Sequence, residues 1–244
     1  MPISPSPDAA SSPDPPSLPP TAPSAPATPR TQRESLDLRA ELRRIRAALD
    51  EDEQRDAARQ VARRLLELDL LAGTGTLGTY LPTDGEMDPN LALDELRARG
   101  WTIALPIVEA DRSMRFARWD ADARLVPNRF GIDEPEPPLE AVSFDQLDVV
   151  LVPCVAVDLE GNRLGFGAGF YDRAFARPDL SAADIAADDP NPDATTPPRR
   201  AVLVGVVHDI QVVDRIEPDP WDVPMDLIVT GARVLSPGGP APRR

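Results

Sequence analysis

DVVLVPCVAVD, residues 148 to 158, carries aliphatic side chains at nearly every position between its flanking aspartates. A strand with one wet face alternates apolar and polar residues. This run does not, so it predicts a strand at the centre of a sheet covered on both faces, as in parallel α/β sheets. AVLVGVV (201–207) and MDLIVT (225–230) repeat the pattern toward the C-terminus. Toward the N-terminus, strands are predicted over Thr76–Leu81, Trp101–Val108 and Met114–Trp119, the first ended by Pro82 and Gly85. A short helix over Asn90–Arg99, stopped by Gly100, lies between the first two. Residues 120–140 read as loop.

Ahead of these strands, residues 34–71 read as two helices. Leu38, Leu42, Ile45 and Leu49 recur at three- and four-residue spacing up to a break at Asp50. Asp50 and Glu53 form a capping-box pattern that opens the second helix, which carries Val61, Leu65 and Leu68. Arg39, Arg43, Arg44 and Arg46 read as a solvated face of the first. Strands alternating with helices over one core give an α/β fold, layered, with a mostly parallel sheet.

Composition narrows the chemistry. The first 30 residues hold eleven of the 30 prolines and no aromatic residue, so residues 1–33 are expected to be a disordered tail. The single folded domain is expected over 34–235, with a mobile Pro- and Asp-rich loop at 178–200 and a flexible tail at 236–244. All 26 basic residues are arginine, which excludes a Schiff-base lysine and a P-loop lysine. A net charge of −15 argues against an extended nucleic-acid footprint and for small-molecule partners. The one cysteine, Cys154, allows no intrachain disulfide; the one histidine, His208, allows no two-histidine metal site and reads as a partly buried residue after a strand. With no secretory-type apolar segment and no membrane-length apolar run, the expected location is the cytoplasm.

The motif that carries chemistry is RLGFGAGFYD, 163–172. Glycines at 165, 167 and 169 let backbone N–H groups approach an anion without an intervening Cβ. Asp172 follows where Mg²⁺ is commonly held beside phosphate. The spacing matches neither a P-loop nor a dinucleotide turn, so the loop alone leaves a structural role open.

The longer run LVPCVAVDLEGNRLGFGAGFYDRAF resembles the signature of the 5-formyltetrahydrofolate cyclo-ligase (methenyltetrahydrofolate synthetase) family. LRAELRRIRAAL, YLPTDGEMD, SMRF, FGIDEP, VVHDIQ and EPDPWDVPMDLIVT keep the family's order, spanning residues 38–230. The resemblance implies a three-layer sandwich similar to the CoA-transferase and ribose-phosphate isomerase type. It implies ATP- and Mg²⁺-dependent cyclisation of 5-formyltetrahydrofolate to 5,10-methenyltetrahydrofolate by a monomer that binds neither membrane nor nucleic acid. Arg163, Leu164, Gly165, Phe166, Gly167, Ala168, Gly169, Phe170 and Tyr171 match the ATP loop. Asp172 and Asp222 match the two acids that hold Mg²⁺. Leu81, Glu86, Phe130, Phe166 and Phe170 match folate contacts, and Arg39, Asp172 and Tyr171 are the implied catalytic groups.

The chain departs from the family pattern at four places. The family's N-terminal lysine is replaced, either by Arg39 with Arg43 as partner or by Ser35 with Arg39 as the arginine. Phe166 and Ala168 stand where some members carry Arg and Lys, leaving fewer loop cations. Phe170 replaces the first tyrosine of a YYD triplet. Cys154 takes a position that is often glycine and reads as a buried, inert thiol. The missing loop cations keep a second function open, a nucleotide- or folate-binding protein without turnover. A third is an ATP-independent isomerase or CoA-transferase on the same fold.

Overall fold

A computed structural model describes residues 32–109, 113–129, 131–167, 169–175 and 200–238. The expected terminal tails and the 178–200 loop lie outside these residues, apart from Gln32 and Arg33 in the first helix, Arg200, and 236–238. Phe130 and Ala168 also lie outside them.

The predicted helical region folds as α1 (Gln32–Ala47) and α2 (Glu51–Glu67). Asp50 separates them by the capping box expected of it: its side chain accepts from Glu53 N at 2.8 Å, and Glu53 returns a carboxylate to Asp50 N at 2.9 Å. Strand β1 (Thr76–Gly78) follows, then α3 (Leu93–Ala98), entered through a 3₁₀ turn at Asn90–Ala92. β1 is shorter than predicted. Thr79 N still reaches Ala104 O, but Tyr80 turns its hydroxyl onto Met87 O at 2.5 Å and the chain leaves the ladder before Pro82.

β2 (Thr102–Val108) and β3 (Met114–Arg118) form an antiparallel hairpin. The segment expected to be loop contains a second one, β4 (Leu125–Pro127) with β5 (Asp133–Pro135), and a short β6 (Ala141–Val142). The turn of the second hairpin is closed by Asn128, whose side chain accepts from Ile132 N and donates to Glu134. Three-residue strands are too short to show a period of two.

The central run divides. β7 (Val149–Pro153) lies in the main sheet, whereas β8 (Ala156–Asp158) belongs to a small second sheet with β9 (Arg163–Leu164) and β11 (Val212–Val213). The expected single strand 148–158 is therefore corrected to two. Pro153 has no N–H to continue a ladder. The carbonyls of Cys154 and Val155 both accept from Gln211 Nε2, at 2.6 and 3.1 Å, and Val155 N crosses to Leu164 O. A buried side-chain amide thus satisfies the backbone where the strand breaks.

β10 (Val202–Val206), β12 (Leu227–Val229) and β13 (Val234–Leu235) complete the main sheet, in the order β13-β12-β10-β7-β1-β2-β3-β6. Its five inner strands, β12 to β2, are parallel; the pairs at both edges are antiparallel. Successive residues of β7 face opposite layers. Val149 and Leu151 meet α2 and α3 through Val61, Leu65, Leu93 and Leu96. Val150 and Val152 meet Phe116, Leu203 and, from α4 (Phe170–Phe175), Phe175. This two-sided burial, worth about 1.5–3 kcal/mol per large aliphatic, is why the run shows no alternation. α1 covers the small sheet instead, with Leu42 against Val155, Ala156, Leu164 and Ile216. Among the described residues no helix is long and apolar enough to cross a membrane.

Candidate active site

The glycine loop leaves β9 and enters α4 beside the small sheet. A Cβ placed on Gly165 or Gly167 would meet nothing within 4 Å, so packing does not demand glycine there. Conformation does at Gly167 and Gly169, with φ of +93° and +63°, a region that side-chain-bearing residues rarely adopt. The resulting loop has its main chain open on one side and anchored on the other, where Arg39 Nε donates to Gly165 O at 2.8 Å.

Below the loop, Arg163 is buried and its guanidinium donates to Asp172 and to Val223 O. Val223 N in turn points at the same Asp172 oxygen at 3.4 Å. Arg163 therefore ties the first turn of α4 to the segment that carries Asp222. Asp222 accepts from Asp219 N at 2.9 Å, and its carboxyl is pushed above the usual range, first by burial, with the negative charge of Asp172 adding to it. Two carboxylates that sense each other while each commits one oxygen to the protein are a fitting pair for a hard divalent cation. No group of three or more His, Cys, Asp or Glu side chains suited to a metal occurs among the described residues, so any cation there would take its other ligands from phosphate and water.

Facing the loop is the turn Thr83–Glu86. Asp84 adopts φ +52°, and Glu86 is almost fully buried. Glu86 Oε2 accepts from Thr83 N at 3.0 Å and from Thr83 Oγ at 3.3 Å. Desolvation dominates nonetheless and raises its pKa, against the Thr83 bonds and the charge of Arg46. The charge of Glu86 helps raise the pKa of Tyr80, Tyr171 and Cys154, in each case after burial itself, so all three lie within its electrostatic reach. Cys154 is pushed up to about 12, and its thiol lies 3.6 Å from Val152 O, so it is the inert group expected.

A model of the 5-formyltetrahydrofolate cyclo-ligase family matches residues 31–231. The chain belongs to this family. It is 29% identical over 196 residues to the 5-formyltetrahydrofolate cyclo-ligase of Escherichia coli K12, covering 79% of this chain and 98% of that one. It is 33% identical over 164 residues to the enzyme of the same name from Mycolicibacterium smegmatis, covering 65% of this chain and 74% of the relative. The solution structure of Aquifex aeolicus 5,10-methenyltetrahydrofolate synthetase superposes with a TM-score of 0.67 at 29% identity, covering 86% of this chain and 96% of that one.

Of the residues that the cyclo-ligase signature singled out, the structure joins Arg39 to the glycine loop at Gly165 O and Asp172 to the segment of Asp222 at Val223 N, and places Tyr171 within electrostatic reach of Glu86. Ser35 is half-buried on α1, one turn before Arg39. Phe170 is half-buried under the guanidinium of Arg173, whose Cζ lies 5.4 Å from the ring centroid. Phe166 is 46% exposed at the loop tip, and there the arginines of α1 correct the solvated-face reading. Arg44 does face solvent, paired with Glu41. Arg43 and Arg46 instead approach the Phe166 ring at 5.4 and 5.7 Å, and Arg46 is fully buried. Cations absent from the loop sequence are thus delivered beside it by α1. The signal lay in the spacing: Arg39, Arg43 and Arg46 follow one another at four and three residues, the same rhythm as the leucine stripe.

His208 is the second residue whose part was missed. Its Nε2 lies 3.2 Å from Gly85 O, and burial lowers its pKa, leaving a neutral ring that donates to the turn carrying Glu86.

Proposed function

We propose that this chain converts 5-formyltetrahydrofolate and ATP to 5,10-methenyltetrahydrofolate, ADP and phosphate. What supports the reading most is the family match over residues 31–231 together with a glycine loop that has free space at Gly165 and Gly167, is anchored by Arg39, and shares Arg43 and Arg46 with the turn that carries the buried Glu86. The formyl oxygen attacks the γ-phosphorus, ADP leaves, and the formyl carbon now bears a phosphate as leaving group. N10 adds to that carbon and loses its proton, and departure of phosphate with the former formyl oxygen completes the ring. Chemistry of this kind needs in-line placement and charge neutralisation more than a protein acid or base.

In this reading the N–H groups of residues 165–169 hold phosphate oxygens, and Arg39 and Arg43 supply positive charge from α1. Glu86 accepts hydrogen bonds from the pterin ring, and Phe166 and Phe170 lie against its flat surfaces. Tyr171, kept protonated by burial, serves as a neutral donor at the reacting centre. Asp172 and Asp222 would hold Mg²⁺, which neutralises charge on the phosphoryl oxygens when bound. The catalytic groups are Arg39, Asp172 and Tyr171.

Incubation of the full chain with Mg-ATP and 5-formyltetrahydrofolate, followed by the near-UV absorbance of the methenyl product, tests this directly. Product formation that requires both ATP and Mg²⁺ is expected. Tight binding of both ligands without ATP-dependent product would leave a binding protein in its place.

A further inference from the structure

We infer that Arg46 is a positioning residue that ties the folate-facing turn to the nucleotide-facing loop, so that occupancy of either site improves binding at the other. The inference rests on the assignment of the two ligands above. Arg46 donates through Nε to Asp84 O at 2.9 Å and through Nη2 to Asp84 Oδ2 at 3.1 Å. Arg43 donates to the same Oδ2 at 2.8 Å. Asp84 has a left-handed backbone, a conformation that costs energy in a residue with a side chain and persists only where the surroundings hold it. His208 fixes the next carbonyl, that of Gly85, and Glu86 closes the turn onto Thr83. Every peptide from 83 to 86 is thereby pinned, and the pins that come from α1 are the two arginines.

The same two guanidiniums lie against the ring of Phe166, which is otherwise 46% exposed. Neighbouring Gly165 and Gly167 carry no side chain to steady it, and Arg39 fixes the loop one residue away. A shift of the loop around a nucleotide therefore moves the ring against Arg46, and Arg46 can follow only by dragging Asp84. Simple packing does not account for this residue. Among the described residues its Nη1 is buried with no hydrogen-bond partner, a destabilising feature that an apolar side chain of similar length would not have.

The test measures the affinity of the full chain for 5-formyltetrahydrofolate with and without a saturating non-hydrolysable Mg-ATP analogue, by calorimetry. In the native chain the analogue is expected to tighten folate binding about 5- to 20-fold, within the usual range of coupling between sites. Arg46→Met keeps the length of the side chain but loses its donors and charge; the factor is expected to fall below about 2, with folate KM raised more than ATP KM. Phe166→Leu removes the ring that the guanidiniums lie against and covers the case in which Arg46→Met does not fold. Because Phe166 also lies against the pterin in the proposed reading, the readout is the ratio of folate affinities with and without the analogue, not the affinity itself, and that factor too is expected to fall below about 2. Native coupling in Phe166→Leu, or in a folded Arg46→Met, overturns the inference. A native chain that binds both ligands independently overturns it as well while leaving the proposed activity standing, whereas one that binds neither overturns both.

Discussion

Replacing Asp172 separates two duties that its carboxylate performs at once. One oxygen holds the guanidinium of Arg163, whose side chain is 4% exposed against 23% for Asp172. Read from the sequence as a helix-start aspartate, its loss would cost about 1 kcal/mol. The structure revises that figure, because Asp172→Ala leaves a buried guanidinium with only Val223 O as acceptor. Breaking a buried pair costs about 3–5 kcal/mol, and the partial exposure of Asp172 reduces this to about 2–3 kcal/mol. For a domain of this size, 1 kcal/mol moves Tm by about 2–4 °C, so Asp172→Ala should melt roughly 4–12 °C below the native chain. Asp172→Asn keeps a carbonyl oxygen for Arg163 and should lose about 1 kcal/mol, or roughly 2–4 °C. Both variants remove the negative charge that the proposed function assigns to Mg²⁺ binding and should lower turnover about 100-fold or more. Circular dichroism melts and the methenyl absorbance assay read the two effects independently. An Asp172→Ala chain that melts within about 1 °C of native refutes the clasp on Arg163. An Asp172→Asn chain with native turnover refutes the role of the charge.

Glu86→Gln tests a conflict between stability and binding. Burial raises the folded pKa of Glu86, so its favourable contribution is complete below the unfolded value of 4.5 and is lost as pH rises through the folded one. Above the folded value the ionised carboxylate is a liability; the variant should melt at or above native there, with the advantage gone near pH 4. Its folate affinity should drop about 10- to 100-fold, the worth of a charge-assisted bond, as calorimetry would show. Asp158→Ala should cost about 3–5 kcal/mol in urea unfolding, because that fully buried carboxylate accepts from Glu160 N, Asn162 N, Asn162 Nδ2 and Ile216 N. A loss under about 1 kcal/mol would mean those donors find other partners.

The core was readable wherever one residue type ran long enough to declare its surroundings. Val149–Val152 and Val202–Val206 are buried on two sides and are aliphatic at every position but Gly205, and Asp50 with Glu53 caps a helix by local geometry alone. The glycine loop was legible for the same reason, since positive φ at 167 and 169 restricts the residue choice. What escaped depends on contacts distant in sequence. The division at Pro153 has a local hint in the missing proline N–H, but it is completed by Gln211, more than fifty residues on, which nothing in VPCVAV announces. Arg46 looked like any exposed arginine because its partners, Asp84 and Phe166, reach it only once three separate segments have assembled.

That division also decides how motion is distributed. The glycine loop hangs from the β8–β9 hairpin and α4, while the eight-stranded sheet ends its part at Pro153. Strain imposed on the loop is thus taken up on its β9 side by a three-stranded annex, whereas on its α4 side Phe175 braces it against the main sheet. In the proposed function the loop would yield at one root and stay braced at the other as phosphates enter, much as a flap moves on a sewn edge.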